Sequence, residues 1–194
     1  PHFITYVEPQ GPLAREGEGA SRPGHFRGVA TVVLKLFNLI QPRRAYFGQK
    51  DAQQVAVIRA LVADLNLPID LVIMPTVREP DGLAMSSRNS YLSPAGRRAA
   101  TVLYRALLAG KETYERQAAG DPAAVVRAMR ETVAREPLAR LDYADVRDPE
   151  TFEPLERLRA PALLTIAAFI ETARLIDNFL LRADGNWETG VFLS

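Results

Sequence analysis

The apolar positions of the chain fall either into short unbroken runs or into stripes of helical period, and the order of the two sets the fold class. Phe3-Ile4-Thr5-Tyr6-Val7 is rich in β-branched and aromatic residues, which predicts a strand ended by Pro9 and Gly11. Gly11 to Gly24 is glycine-rich and charged and reads as a loop. From about His25 to Ile40 the set Val29, Val32, Val33, Leu36, Phe37 and Ile40 keeps the spacing of one buried helix face, and Pro42 stops the helix. Arg43 to Phe47, with its two aromatic residues, suits a buried strand, and Val55, Ile58, Leu61, Val62 and Leu65 then recur at helical spacing. After the Asn66-Leu67-Pro68 turn, Leu71 to Met74 run unbroken inside a further buried strand, Ile69 to Thr76. Strand and helix alternate, so a parallel sheet with right-handed crossovers is expected, the doubly wound α/β class.

The pattern changes after Thr76. Val77 to Leu92 is too polar and too broken for a helix or a strand, and connections of ~12 residues or more without structure of their own are uncommon unless functional or disordered. Ser93 with Pro94 is a helix cap, and Ala, Leu and Arg carry the helix to about Gln117. Asp121-Pro122 caps another helix with the stripe Val125, Val126, Met129 and Val133. Leu141 to Val146 reads as a strand with Asp148-Pro149 as its turn; Ala162 to Ile170 and Thr172 to Leu181 read as two more, although their alanines leave a helical alternative. Gly185 onward reads as a tail on which Trp187 and Phe192 pack. The second half is therefore expected to be an α+β domain.

Composition narrows the function. With 47% hydrophobic residues the chain can build a real core. The 24 Lys and Arg are met by 23 Asp and Glu, a net charge of +1, which argues against a basic nucleic-acid platform. The absence of cysteine rules out disulfides and thiolate metal sites. No apolar run reaches the ~20 residues of a membrane helix and no signal pattern opens the chain, so a cytoplasmic protein is expected. The first residue is Pro1 rather than methionine, which suggests a fragment.

Chemistry concentrates at three places. Gly48-Gln49-Lys50-Asp51 turns a strand into a helix, and such a corner offers unpaired N–H groups and the positive end of the helix dipole to an anion. Lys50 stands on the unfavourable end of that dipole, which a phosphate or carboxylate would relieve; Asp51 with Gln54 three residues on also fits a capping box, a structural device. Ser86, Ser87 and Arg88 put two hydroxyls and a bidentate cation side by side, a set suited to phosphate oxygens, and also fit an ordinary turn. Arg22-Pro23-Gly24-His25-Phe26-Arg27-Gly28 opens the first helix: Arg22 and Arg27 could clamp an anion, Gly28 leaves room for another backbone or a ligand, and His25 also reads as a polar end residue. Only His25 and His2 are available as histidine ligands, so no metal site is predicted.

These segments together, Arg22 to Val29, Tyr46 to Asp51 with Gln54, and Val77 to Asn89, closely resemble the pantoate–β-alanine ligase (pantothenate synthetase) family, over nearly the whole chain and in the same order. The resemblance implies a Rossmann-like nucleotidyltransferase domain, here residues 1–76, followed by an α+β lid domain, residues 77–194. It implies an AMP-forming ligase that condenses pantoate with β-alanine through a pantoyl-adenylate, using ATP and Mg²⁺, as a cytoplasmic homodimer. By motif position Gly48, Gln49, Lys50 and Asp51 would contact ATP, Val77 would lie against adenine, and Met85, Ser86, Ser87 and Arg88 would grip the phosphates, with Lys50, Ser86, Ser87 and Arg88 as the catalytic set. Gln54 would hold pantoate, with Arg22 and His25 as further substrate-side residues.

The family's N-terminal histidine motif of the HIGH type has no match in these residues. The expectation is therefore a C-terminal part of the enzyme that is inactive alone. Two other readings stand beside it: a non-catalytic fragment or interaction module, supported by the missing motif, and a nucleotidyltransferase acting on another substrate, against which Gln54 and the Val77–Asn89 segment argue.

Overall fold

Strand β1 (Arg44–Gly48) lies parallel to β2 (Asp70–Met74), with Arg44 opposite Asp70 and Gly48 opposite Met74. A parallel pair needs a crossover rather than a tight turn, and helix α4 (Ala52–Asp64) provides it after a 3₁₀ turn at Gln49–Asp51. The computed structural model describes residues 3–117 and 120–193. Contacts divide the chain into two units, Pro1–Met74 with Pro149–Glu153, and Pro75–Asp148 with Pro154–Ser194.

In the first unit α3 (His25–Ile40) packs on α4 around Phe26, Ala30, Phe37, Val57, Ile58 and Leu61. Ala45, Phe47 and Leu71 face this cluster, whereas Tyr46 points away and is 61% exposed, so β1 is half-covered rather than buried. The predicted stripe of α3 is also only partly covered. Val29 and Val33 pack inward, but Val32, Leu36 and Ile40 are exposed, because the apolar arc is wider than the face that α4 covers.

Two further predictions fail here. Phe3 to Val7 is not a strand; the N–H and carbonyl of Val7 pair with the Thr31 hydroxyl on α3 at 3.0 and 3.3 Å instead of a ladder. The stretch read as a loop contains two helical turns, α1 (Pro12–Arg15) and α2 (Glu18–Ser21). Gln53 of α4 holds them: its amide nitrogen donates to the carbonyls of Leu13 and Glu16, and its oxygen accepts from the Glu18 N–H, all at 2.9 Å. Phe152, reaching in from Pro149–Glu153, lies so close that a Cβ on Gly17 would come within 2.9 Å of its ring.

The second unit is built on an antiparallel sheet of β4 (Ala139–Arg147), β5 (Ala162–Ile170), β6 (Ala173–Leu181) and β7 (Trp187–Glu188). Its core joins β5 and β6 to α6 (Val102–Arg116) and α7 (Pro122–Ala134) through Leu103, Leu107, Met129, Leu164, Ile166 and Phe179. Nearly every β5 residue is buried, so the strand reads as continuous rather than alternating; the helical alternative for the alanine-rich segments is not what forms.

The helix expected over Ser93 to Gln117 is two, α5 (Pro94–Ala99) and α6, separated at Ala100 and Thr101, where the Thr101 hydroxyl bonds back to the Arg98 carbonyl. The supposed tail contains β7 and β8 (Val191–Phe192), and β8 runs parallel to β3 (Val77–Arg78), inside the segment expected to have no strand. Among the described residues no helix is long and apolar enough to cross a membrane.

Candidate functional site

Gly48 ends β1 in extended backbone, and a Cβ built there would meet nothing within 4 Å, so the corner is open above it. Gln49 is buried, Lys50 is partly exposed, and the Lys50 Nζ stands 4.0 Å from Asp51 Oδ1. Asp51 occupies the N-cap of α4 without a side-chain cap bond, so the capping box does not form. That leaves the first turn of a 13-residue helix, Lys50 and the exposed Asp51 carboxylate together at the carboxyl end of β1. Such ends are where open α/β sheets bind ligands.

The two glutamines of α4 divide their work. Gln53 is buried in the knot with α1 and α2, a role that no local pattern signals; Gln54 is half-buried and takes none of those bonds.

Around the start of α3, Arg22 and Arg27 do not form one clamp. Arg22 Nη1 lies 3.3 Å from His25 Nε2, while Arg27 stacks 4.9 Å from the Tyr6 ring centre. His25 in turn rests against Phe26, ring centres 5.0 Å apart. Arg27 shares a cavity of about 390 Å³ with Gln10, Arg15 and Gly24, and Arg15 donates to Gln10 Oε1 at 2.9 Å. Arg15 is a cation that sequence reasoning passed over, because it sits on a helical turn where a loop was expected. A Cβ added at Gly28 would have nothing within 4 Å, so no backbone approaches it. His2 falls outside the described residues.

The other predicted residues belong to the second unit. Val77 accepts the Met85 N–H at 2.9 Å, which folds residues 77–85 back on themselves, and Met85 is 48% exposed. Ser86 caps a 3₁₀ turn (Ser87–Tyr91), its hydroxyl accepting from the Arg88 N–H at 3.2 Å. The Ser87 carbonyl accepts from the Ser90 hydroxyl at 2.7 Å, and the exposed Arg88 donates from Nη1 to the Arg174 carbonyl at 3.1 Å. The turn reading of the triplet is met at Ser86, and Ser87 and Arg88 stand exposed at the surface of that turn.

The cap at Ser93 is also real. Its hydroxyl accepts from the Gly96 N–H at 3.0 Å and donates to Glu171 Oε1 at 2.5 Å. That donation, with a second from the Ser93 N–H, holds the Glu171 carboxyl below its usual range.

Sequence reasoning missed two arginine–carboxylate clusters, one buried and one partly exposed. Arg78 is fully buried and donates to both oxygens of Asp177, at 2.7 and 2.9 Å. Arg97 donates to Asp81 at 2.7 and 3.1 Å and to Glu79 at 2.6 Å; the guanidinium depresses the Asp81 carboxyl, and the carboxylates raise the arginine further. Asp177 lies 99 residues from Arg78, a separation no local pattern encodes. Among the described residues no group of three or more His, Cys, Asp or Glu could hold a metal ion.

A parallel βαβ unit with a lysine at its strand end, and a second unit built on an antiparallel sheet and helices, make this an α/β protein. The family model described as Pantoate-beta-alanine ligase matches residues 2–180, and the chain belongs to that family. A pantothenate synthetase of Chloroflexus aurantiacus is 58% identical over 189 residues, covering 95% of this chain and 66% of the relative. The crystal structure of pantothenate synthetase from Thermus thermophilus superposes with a TM-score of 0.86 at 52% identity, over 91% of this chain and 63% of that one. A pantoate–β-alanine ligase of Francisella tularensis, solved with β,γ ATP and β-alanine, gives a TM-score of 0.67 at 33% identity, over 91% and 58%. The chain thus spans just under two thirds of the length of the curated relatives it matches.

Proposed function

We propose that the chain serves the ATP-dependent condensation of pantoate with β-alanine, through a pantoyl-adenylate, with residues 1–76 as the nucleotide and pantoate domain and 77–194 as the lid domain. Family membership supports the reaction, and the relative complexed with β,γ ATP and β-alanine supports two of the substrates. The observation that carries the reading to this chain's own residues is Lys50 in the open corner above Gly48, at the end of β1.

The chemistry asks little proton transfer of the protein. The pantoate carboxylate is already a nucleophile; it attacks the α-phosphorus of ATP, the bond to the β-phosphate oxygen breaks and pyrophosphate leaves. The β-alanine amine then attacks the acyl carbon of the adenylate, loses a proton and expels AMP. What the chain must supply is position and charge neutralisation. In this reading the corner Gly48 to Asp51 binds the nucleotide, with Lys50 on its phosphates. Val77 lies against adenine, and Met85, Ser86, Ser87 and Arg88 hold phosphate oxygens, which requires Arg88 to exchange the Arg174 carbonyl for the ligand. Gln54 binds pantoate, with Arg22 and His25 on the substrate side.

Mg²⁺ fits only as an ion that arrives with the nucleotide, since the described residues offer Asp51 at the corner and no carboxylate cage. When bound it would neutralise phosphate charge. A cytoplasmic homodimer is part of the same proposal. The test is AMP release by the native gene product given pantoate, ATP, Mg²⁺ and β-alanine. Release that depends on both acids supports the reading; AMP release that ignores pantoate refutes it.

A further inference from the structure

The turn Glu79-Pro80-Asp81-Gly82 is gripped by two arginines. From the buried side, Arg78 Nη1 donates to the Gly82 carbonyl at 3.0 Å and Nε donates to the Thr189 carbonyl, while the guanidinium lies over the rings of Tyr104 and Phe179, 4.9 and 5.2 Å from their centres. From the solvent side, Arg97 binds both carboxylates of the turn. Gly82 has φ +93°, and the Tyr104 ring occupies the place a Cβ would take, so the turn takes a form that only glycine accommodates. Burying a guanidinium–carboxylate pair is costly, and apolar replacements of such pairs are often as stable or more so. Stability alone is therefore a poor reason for the Arg78–Asp177 pair, whereas fixing the backbone is a good one.

What the turn fixes lies just beyond it. Ala84 bridges to Arg78, the Asn89 side-chain amide donates to the Ala84 carbonyl at 3.1 Å, and the Met85 N–H closes on Val77 at 2.9 Å. We propose that Arg78 and Arg97 are positioning residues that hold the Glu79–Gly82 turn and so set the Met85–Arg88 segment in the form that receives phosphate. The inference rests on the ligase reading for its ligand, but the ordering of the segment can be measured without it.

The experiment compares native protein with Arg97→Gln, at a partly exposed position where folding is not at stake, and with Asp177→Asn, which keeps the shape of the buried partner. Amide exchange at Met85 is read against exchange at Ile166 in β5, and the KM for ATP is read against kcat. Losing a charged hydrogen bond should speed Met85 exchange about tenfold or more. The KM for ATP should rise by about the same factor, with kcat little changed. A purely structural role would speed Ile166 exchange and lower the unfolding midpoint while leaving the KM for ATP alone. Unchanged Met85 exchange in folded Arg97→Gln overturns the inference even if Asp177→Asn fails to fold; faster exchange with an unaltered KM overturns it as well. Native protein that binds no ATP refutes the ligase reading instead, while the exchange measurement still decides whether the arginines order the segment.

Discussion

The carboxylate of Glu171 receives both the amide and the hydroxyl of Ser93, at 3.1 and 2.5 Å, which ties the turn between β5 and β6 to the first turn of α5. Because these bonds favour the ionised form, the folded protein holds the Glu171 proton less tightly than the unfolded chain does. A lowered folded pKa contributes stability at neutral pH that disappears as pH falls through the acid range below about 4.3. Glu171→Gln should therefore be less stable than the native protein near pH 7, with the gap narrowing as pH falls through the acid range. Urea unfolding at pH 7 and in that range checks this; a gap that does not narrow at all would show that packing, not charge, is lost.

Gly96 lies beneath the same carboxylate. A Cβ there would stand 2.6 Å from Glu171 Oε2, so Gly96→Ala should push the carboxylate off Ser93 and abolish the pH-dependent part of the stability while keeping the helical circular dichroism.

Gln53 and Gln54 should separate structure from function. Gln53→Ala removes three hydrogen bonds, one buried and two partly buried, each worth about 1 kcal/mol net, and should lower the unfolding midpoint by several degrees. Gln54→Ala should leave the midpoint in place and raise the KM for pantoate. Equal effects of both variants on stability would remove the reason for placing pantoate at Gln54.

Gly82→Ala combines a positive φ with a collision against Tyr104, and should cost about 1–3 kcal/mol of stability. Its unfolding midpoint measures this directly, and Gly48→Ala is the control, since nothing stands near that position.

Local pattern made much of this legible. Helices α3, α4 and α7, the central strands and the caps at Ser93 and Asp121 follow from spacing and from Ser-Pro and Asp-Pro signals that act within a few residues. The corner at Lys50 and the turn at Ser86 to Arg88 were legible for the same reason: exposed polar residues interrupting apolar runs. What stayed hidden depends on distant partners. Phe3 to Val7 has strand residues but pairs with Thr31; β8 forms because β3, more than a hundred residues earlier, gives it an edge. Arg78 looked like any loop arginine until Asp177, Tyr104 and Phe179 closed around it. Val32, Leu36 and Ile40 show the converse error, since periodicity locates an apolar arc without saying how much of it is covered.

The central claim is that Lys50 and Arg88 act on the phosphates of ATP while pantoate is activated. Pantoate-dependent exchange of labelled pyrophosphate into ATP, followed in the native gene product without β-alanine, isolates that half-reaction. We expect exchange in the native protein and a loss of about a hundredfold or more in both Lys50→Ala and Arg88→Ala. Exchange that persists undiminished in either variant would contradict the account.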